Sequence, residues 1–202
     1  MRKIYIVLVL LTAVLTGCTA PSYQVHGIEE YDLQAIVDEY VGDLDSSLLV
    51  FPDAETVAAA KAEYTAMLYT GLFDTDGEIV LECTYDKEVF EQEGQRLAGL
   101  SMTIASGEES HVNTALYDAD SYNYPAYITI DGFGHTYEYA LMDEENLRII
   151  YVYLAYPDDE SGVDARYLKR DAAVYEAEDT FDRFSMYNHS FDGGESWTEF
   201  SD

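Results

Sequence analysis

The chain has 202 residues, of which 40 are acidic and 10 are basic, so its formal net charge is −30. It lacks the basic face that phosphate binding requires, which excludes nucleic acid as a partner, and charge alone gives it no attraction to anionic lipid. Disorder is excluded as well, because 48% of the residues are apolar and 14% are aromatic. The length fits one domain, and 19 tyrosines favour a β-rich body, since tyrosine suits half-buried sheet surfaces.

The first residues of the chain have the pattern of an export signal. Arg2 and Lys3 form a positive start, and an apolar run over 4–14 follows them. This run is too short to span a bilayer as a mature helix, and its flanks are those of a signal peptide. It leads into Leu15-Thr16-Gly17-Cys18, which resembles the lipobox of bacterial lipoproteins.

The lipobox resemblance implies cleavage before Cys18 and acyl chains on that cysteine, which hold the new N-terminus in the membrane. Two or more such chains anchor a protein stably. The predicted organisation is a signal peptide over 1–17, the lipidated cysteine with a short linker over 18–27, and one domain over 28–202. Loss of two basic residues with the signal takes the net charge from −30 to −32. The alternative is an ordinary secretory signal with an accidental cysteine.

The residue after Cys18 bears on the location of the protein. It is Thr19 and not the aspartate that favours inner-membrane retention in Gram-negative lipoproteins. The resemblance therefore implies the extracytoplasmic face of the cell membrane, or the outer membrane if the source is Gram-negative. The arrangement is similar to that of small lipoproteins of Firmicutes.

Cys83 is the other cysteine, and it lies in an apolar stretch over 79–84. A lone cysteine there is most often a small buried hydrophobe, and no basic neighbour lowers its pKa. With Cys18 acylated, no disulfide forms, and the spacing of cysteines and histidines gives no zinc motif. The acidic loops fail the ligand spacing of an EF-hand, which leaves only weak, nonstandard calcium sites open. No cofactor is predicted.

Three helices are predicted in the first half of the chain. Asp32 caps a helix over 33–41, and Asp53 caps the strongest candidate, which continues to about residue 70 on an alanine-rich sequence. Asp86 caps the third, with Phe90 and Leu97 on its buried side. The apolar run over 47–51 fits a buried strand and an apolar loop equally well.

Strands dominate the second half, where the hydrophobic pattern changes to period two. After candidate strands over 78–85 and 112–117, three more are predicted over 126–130, 136–142 and 147–156. The last is apolar on both faces and so needs cover on both sides. Residues 166–178 fit a short helix or extended chain. We predict an α+β fold with N-terminal helices packed on an antiparallel meander.

The chain ends in a pattern that resembles the Asp-box, through Ser190, Asp192, Gly194 and Trp197. In proteins with this motif the segment is a β-hairpin in which the aspartate bonds to the turn backbone and the tryptophan packs beneath it. Sialidases carry several such boxes, one in each propeller blade, whereas this chain has one. The resemblance implies a hairpin formed by strands over 181–187 and 197–200, and it carries no glycosidase activity with it.

Few residues are candidates for chemistry. Arg166, Lys169 and Arg170 concentrate positive charge in an acidic body, which points first to intramolecular ion pairs and second to docking of an anion. Glu82 and Glu138 lie in apolar strand contexts, where paired carboxylates would suit a glycosidase.

Two function classes follow. The first is a non-catalytic binding or interaction module that holds a protein, peptide or glycan near the membrane on a tyrosine-rich face. The alternative is a small extracellular hydrolase with paired carboxylates, which needs two acids converging in a cleft.

Overall fold

Antiparallel strand pairing organises the part of the chain that the computed structural model describes. These residues are 23–36, 48–70, 75–106, 109–157, 162–171, 175 and 184–187. Their strands are β1 (Tyr23–His26), β2 (Lys61–Thr70), β3 (Thr75–Thr84), β4 (Ser101–Ser106), β5 (Glu109–Thr114), β6 (Leu116–Asp118), β7 (Ala126–Asp131), β8 (Thr136–Asp143) and β9 (Arg148–Ala155). Their α-helices are α1 (Leu33–Ile36), α2 (Ala54–Ala58) and α3 (Lys87–Ala98).

Seven of these strands form one antiparallel sheet in the order β1-β2-β3-β9-β8-β7-β6, and β4 pairs with β5 in a separate hairpin. The fold is therefore α+β, as predicted, and β7, β8 and β9 form the predicted meander. β9 lies at the centre of the sheet between β3 and β8. Its residues from Ile149 to Ala155 are buried on both faces, which confirms the prediction of cover on both sides.

The two faces of the sheet have separate cores. On the first face, which we call the helical face, α3 and the buried loop over 48–51 pack on β3 and β9, and their core includes Leu81, Cys83 and Tyr151. On the second face, which we call the open face, residues 163–171 and Tyr175 cover β8 and β9 around Ile150 and Val152. Where β2 carries Lys61 and Glu63, the open face is polar.

The predicted long second helix is wrong beyond Ala58. Asp53 caps α2 as expected by accepting a hydrogen bond from the backbone N–H of Thr56 (2.8 Å), but the chain then becomes strand β2. Buried Tyr64, Ala66 and Leu68 alternate with less buried residues, which is a period of two, and β2 pairs with β3 along its whole length. Sheet pairing thus overrides the helix propensity of the alanines.

The other capped helices agree better with the sequence. Asp32 accepts a hydrogen bond from the N–H of Ala35 at the start of α1, while residues 37–47 lie outside the described part of the chain. Asp86 accepts one from the N–H of Val89, and Phe90 and Leu97 are buried beneath α3. The run over 48–51 is an apolar loop, with Leu48, Val50 and Phe51 at most 4% exposed.

Several boundaries differ from the sequence prediction. The sheet begins at Tyr23, inside the segment assigned to the linker, because residues 23–26 pair with β2 as an edge strand. The predicted strand over 112–117 is divided between β5 and β6, and β4 was not predicted. In the tight turn after β8, Leu147 adopts a positive φ of 50°, and the side chain of Asn146 hydrogen-bonds to Asp143.

Tyrosine is placed deeper than expected. Among the residues that the structure describes, nine tyrosines are at most 8% exposed, namely Tyr64, Tyr85, Tyr122, Tyr137, Tyr139, Tyr151, Tyr153, Tyr167 and Tyr187. Hydrogen bonds offset the cost of removing some of these hydroxyl groups from water. The hydroxyl of Tyr139 donates to the carbonyl of Tyr167, and that of Tyr151 donates to Glu93. These nine tyrosines therefore belong to the cores of the sheet, whereas Tyr117 and Tyr156 are exposed.

Candidate functional site

A polar pocket of about 350 Å³ opens on the open face of the sheet, where β2, β3 and β9 lie side by side. One row of register partners crosses its floor, from Lys61 to Thr84 to Arg148. The lining residues are Lys61, Glu63, Glu82, Thr84, Arg148, Arg166 and Tyr167. The volume falls in the range of small-molecule sites, although the lining is more polar than usual.

Glu82 is held at the centre of a hydrogen-bonded network. Its Oε2 accepts hydrogen bonds from Nη1 of Arg148 (2.9 Å) and from the hydroxyl of Tyr167 (2.7 Å). Arg148 also binds Asp143 through Nη2 (2.9 Å), and Asp143 is buried. The network fixes the shape of one wall before any ligand arrives.

The charges of this network are set by its contacts. Burial is the largest single effect on the pKa of Arg148 and lowers it, but the hydrogen bond to Asp143 and the attraction of Tyr167, Glu82 and Asp143 together outweigh it, so the net shift is upward. Burial raises the pKa of Tyr167, and its hydrogen bond to Glu82 raises it further. At neutral pH, therefore, Arg148 is a cation and Tyr167 is a neutral hydroxyl that donates to Glu82.

Arg166 enters the pocket from the segment that covers the open face. Its guanidinium binds Asp164 through Nε (3.0 Å) and Nη2 (2.6 Å) and lies 5.6 Å from the centre of the Tyr167 ring. The hydrogen bond from the Arg166 side chain lowers the pKa of Asp164 to about 2. Arg166 is nevertheless 61% exposed, so part of its donor surface faces solvent.

Lys61 and Glu63 are the two charged side chains of the pocket that form no ion pair within the described residues. They lie two residues apart on the same face of β2, and both line the pocket. Within the described residues, neither charged group has a hydrogen bond or an ion pair, whereas Arg148, Glu82 and Arg166 all do. These two side chains are therefore available to a ligand.

The three clustered cations of the sequence are separated in the structure. Arg166 lines the pocket, whereas Nζ of Lys169 binds Asp131 (2.6 Å) and lies 5.8 Å from the centre of the Tyr122 ring. Arg170 is exposed, and its backbone N–H bonds to Ser121. Arg166 and Lys169 thus form the intramolecular ion pairs expected first.

Glu82 and Glu138 lie on opposite faces of the sheet. The register partner of Glu82 on β9 is Ile150, in the core of the open face, whereas that of Glu138 is Tyr153, in the core of the helical face. Glu138 is fully buried and accepts hydrogen bonds from the N–H of Val50 and the hydroxyl of Tyr187. These two carboxylates therefore cannot act together on one substrate.

Other sites predicted from the sequence lie outside the described residues. These are the lipidation site Cys18 and the Asp-box residues Ser190, Asp192, Gly194 and Trp197. In the described ranges no helix is long and apolar enough to cross a membrane. Nor do three histidine, cysteine or carboxylate side chains of those ranges converge where they could hold a metal ion.

Sequence reasoning missed most of this pocket. It did not identify Lys61 or Glu63, because β2 was predicted as helix, and it had no reason to single out Thr84, Arg148 or Tyr167. The alternation of polar and apolar residues along β2 is the signal that would have placed Lys61 and Glu63 on one sheet face.

Comparisons with known protein families, with curated proteins and with solved structures give no match to this chain. The class of protein is therefore argued from the fold and the site: an α+β domain whose large antiparallel sheet carries a polar pocket at one end.

Proposed function

We propose that the chain is an extracytoplasmic lipoprotein, tethered to the membrane by acyl chains on Cys18, whose domain acts as a non-catalytic binding module. Its ligand occupies the pocket of β2, β3 and β9. The observation that carries this function is a preformed polar pocket in which Lys61 and Glu63 remain available while the neighbouring charges are already paired.

The path of the chain from the anchor supports this function. Tyr23, the first residue of the sheet, pairs with Leu68, whereas the pocket lies at Lys61, at the other end of β2. Seven residues of strand separate the two ends by about 23 Å. The five residue steps from Cys18 to Tyr23 reach at most about 18 Å. We therefore expect the tether to enter at the end of the sheet remote from the pocket, which leaves the pocket open to the aqueous side.

The contacts of Glu82 favour binding over catalysis. A hydrolytic acid-base pair needs carboxylates that are free to exchange protons with the substrate. Glu82 is instead engaged by Arg148 and Tyr167. Tyr167 keeps its proton at neutral pH, as shown by its raised pKa, so it supplies neither a base nor a nucleophile.

One observation favours the alternative, a small extracellular hydrolase. Glu63 and Glu82 are register partners and line the same pocket, so two carboxylates do face each other. Directly opposite residues have Cβ atoms about 4.5–5.5 Å apart, and from there two glutamates can bring their carboxyl groups to the roughly 5–5.5 Å of a retaining glycosidase. Hydrolysis of glycoside substrates that is lost in Glu63→Gln would support this function.

The finer architecture that we propose follows the sequence. Helices of the N-terminal half pack on the helical face of the sheet, and the Asp-box pattern of residues 190–197 forms a hairpin that ends the domain. Ser185, which forms an antiparallel bridge with Ile130, brings the chain to the edge of β7 shortly before that pattern. The hairpin anchors the C-terminal segment and has no part in ligand binding.

The test of the tether is the fate of the protein in a bacterial host. We expect the wild-type chain in the membrane fraction, with a mass that shows removal of residues 1–17 and addition of acyl chains. Cys18→Ser should abolish both the acylation and the membrane retention, while Cys83→Ser should retain both. Retention of an unacylated Cys18→Ser protein in the membrane would contradict the anchor.

The test of the binding module is a thermal-shift screen of the full-length protein in detergent against amino acids, short peptides, sugars and cell-wall fragments. A ligand of the folded state raises the melting temperature by mass action. We expect a hit whose shift disappears in Lys61→Met or Glu63→Gln. Hits that ignore both substitutions would place binding elsewhere and refute the pocket.

A further inference from the structure

The pocket is lined by positively and negatively charged side chains, and not all of them are paired with a group of opposite charge in the described part of the chain. The guanidinium of Arg148 and the carboxylate of Glu82 bind each other, and Arg166 binds Asp164. Of the five charged side chains that line it, the ammonium of Lys61 and the carboxylate of Glu63 are the two without a partner in the described part of the chain.

We propose that the pocket binds a small zwitterion, namely an amino acid or short peptide with a free ammonium and a free carboxylate group. The ammonium group pairs with Glu63, and the carboxylate pairs with Lys61 and with the exposed part of Arg166. This assignment rests on the binding function proposed above and names its class of ligand.

Strand geometry supplies the separation of the two binding groups. Residues two apart on a strand point to the same face with about 6.5 Å between their origins. Both side chains are flexible, so they can close on the two ends of a short peptide or around a single amino acid. A pocket of about 350 Å³ has room for a molecule of that size.

The net charge of the whole chain makes a zwitterion a better ligand for this pocket than a simple anion or a simple cation. With a formal net charge of −30, the protein repels a free anion at long range, so Lys61 and Arg166 alone make a poor anion site. A simple cation is drawn to the acidic body as a whole and has no reason to prefer this pocket. A zwitterion carries no net charge, feels little of the long-range field, and gains from both fixed charges once it is bound.

The rigid wall of the pocket limits the entropic cost of binding. Arg148 is held by both Asp143 and Glu82, and Tyr167 is hydrogen-bonded to Glu82 and lies near both guanidinium groups. Only the side chains of Lys61 and Glu63 need to be ordered when the ligand binds, which is the advantage of a preorganised site.

The test uses three dipeptide probes and calorimetry on the full-length protein in detergent. The probes are alanyl-alanine, its N-acetyl form, which lacks the ammonium, and its C-terminal amide, which lacks the carboxylate. We expect alanyl-alanine to bind about tenfold more tightly than either blocked form, since each blocked form loses one ion pair.

Two pocket variants identify which side chain reads which end of the ligand. Glu63→Gln should remove the preference for the free ammonium, so that alanyl-alanine and its N-acetyl form bind alike. Lys61→Met should remove the preference for the free carboxylate. Glu88→Gln and Lys87→Met, on the exposed side of α3, are the matched controls and should change neither preference.

The outcomes separate this ligand class from the binding function itself. Equal binding of the blocked and unblocked peptides, or no binding of any of them, overturns the zwitterion. If a sugar or another probe of the screen then binds in a manner sensitive to Lys61 or Glu63, the pocket stands with another ligand. If no probe responds to those substitutions, the binding function proposed for the pocket fails as well.

Discussion

Glu63 and Glu82 lie directly opposite each other on β2 and β3, so that the sheet places one carboxylate against another. Like charges in this position destabilise a strand pair by a few tenths to about 1 kcal/mol. The structure offsets the charge of Glu82 with Arg148, at 2.9 Å, but gives Glu63 no such partner in the described residues. A charge retained at a cost to stability is typical of a residue kept for function.

We therefore expect Glu63→Gln to stabilise the fold by a few tenths to about 1 kcal/mol while it weakens ligand binding. The measurement is urea unfolding at neutral pH, at low and at high salt, because screening should reduce the gain. Glu145→Gln, at an exposed position in the turn between β8 and β9, is the control and should leave stability nearly unchanged. A loss of stability in Glu63→Gln would show that Glu63 has a supporting role in the fold.

Arg148 and Arg166 should differ sharply in their effect on stability, although both line the pocket. Arg148→Met leaves the buried Asp143 without its guanidinium partner, so we expect a loss of about 2–3 kcal/mol in the free energy of unfolding. Arg166→Met breaks an ion pair whose members are 61% and 40% exposed, so water already screens the pair and the free energy of unfolding should hardly change. Equal losses in the two variants would contradict this assignment of roles.

The helix cap of Asp53 should make part of the stability depend on pH. The hydrogen bond from the backbone of Thr56 lowers the pKa of Asp53 below its usual 3.8. A group with a lowered pKa in the folded state stabilises the fold above its unfolded pKa and loses this contribution as the pH falls through the folded value. We expect Asp53→Ala to cost about 1 kcal/mol at pH 7, and the difference from wild type to shrink below about pH 3.8.

Asp53→Asn is the matched control for the cap, because its side-chain oxygen accepts the same hydrogen bond without a charge. It should keep most of the stability at pH 7 and show none of the pH dependence due to this residue. Acid titration of unfolding followed by circular dichroism measures all three proteins. A constant difference between wild type and Asp53→Ala from pH 7 to pH 2 would refute the linkage.

In the described part of the chain, the sequence predicted those features that depend only on residues close together along the chain, namely the helix caps and the meander. Asp32, Asp53 and Asp86 were identified as caps because an N-cap acts within one turn, and each accepts the expected backbone hydrogen bond. The meander was predictable because its strands are consecutive and joined by short turns.

The parts that escaped prediction depend on partners far away in the sequence. The local sequence of β2 favours a helix, but the segment forms a strand because it pairs with β3 along its whole length. The pocket needs β2, β3, β9 and Tyr167 together, and this convergence leaves no local pattern in any one segment. The placement of Glu82 and Glu138 on opposite faces likewise follows from the register of β3 and β8 with β9.

The buried pair of Glu138 and Tyr187 should stabilise the attachment of the C-terminal segment to the sheet. The hydroxyl of Tyr187 donates to both carboxylate oxygens, at 3.0 and 2.9 Å, and accepts from the N–H of Leu49. Tyr187→Phe removes a hydrogen bond to a buried charged group, and we expect a loss of about 1.5–3 kcal/mol in urea unfolding. Tyr117→Phe, at a tyrosine that is 60% exposed, should have no measurable effect.

The two cysteines should give a thiol count that reports on both the fold and the anchor. Cys83 is fully buried, and burial raises its pKa to about 11, so it should not react with a thiol reagent at pH 8 in the native protein. Under the proposed anchor, the sulfur of Cys18 is a thioether, which cannot react at all. We therefore expect no reactive thiol in the native membrane-extracted protein and one after unfolding in urea, whereas Cys83→Ser should show none in either state. A reactive thiol in the native Cys83→Ser protein would identify an unmodified Cys18. A thiol that reacts rapidly in the native wild-type protein but is absent from Cys83→Ser would show that the pairing of β3 with β2 and β9 fails to shield Cys83.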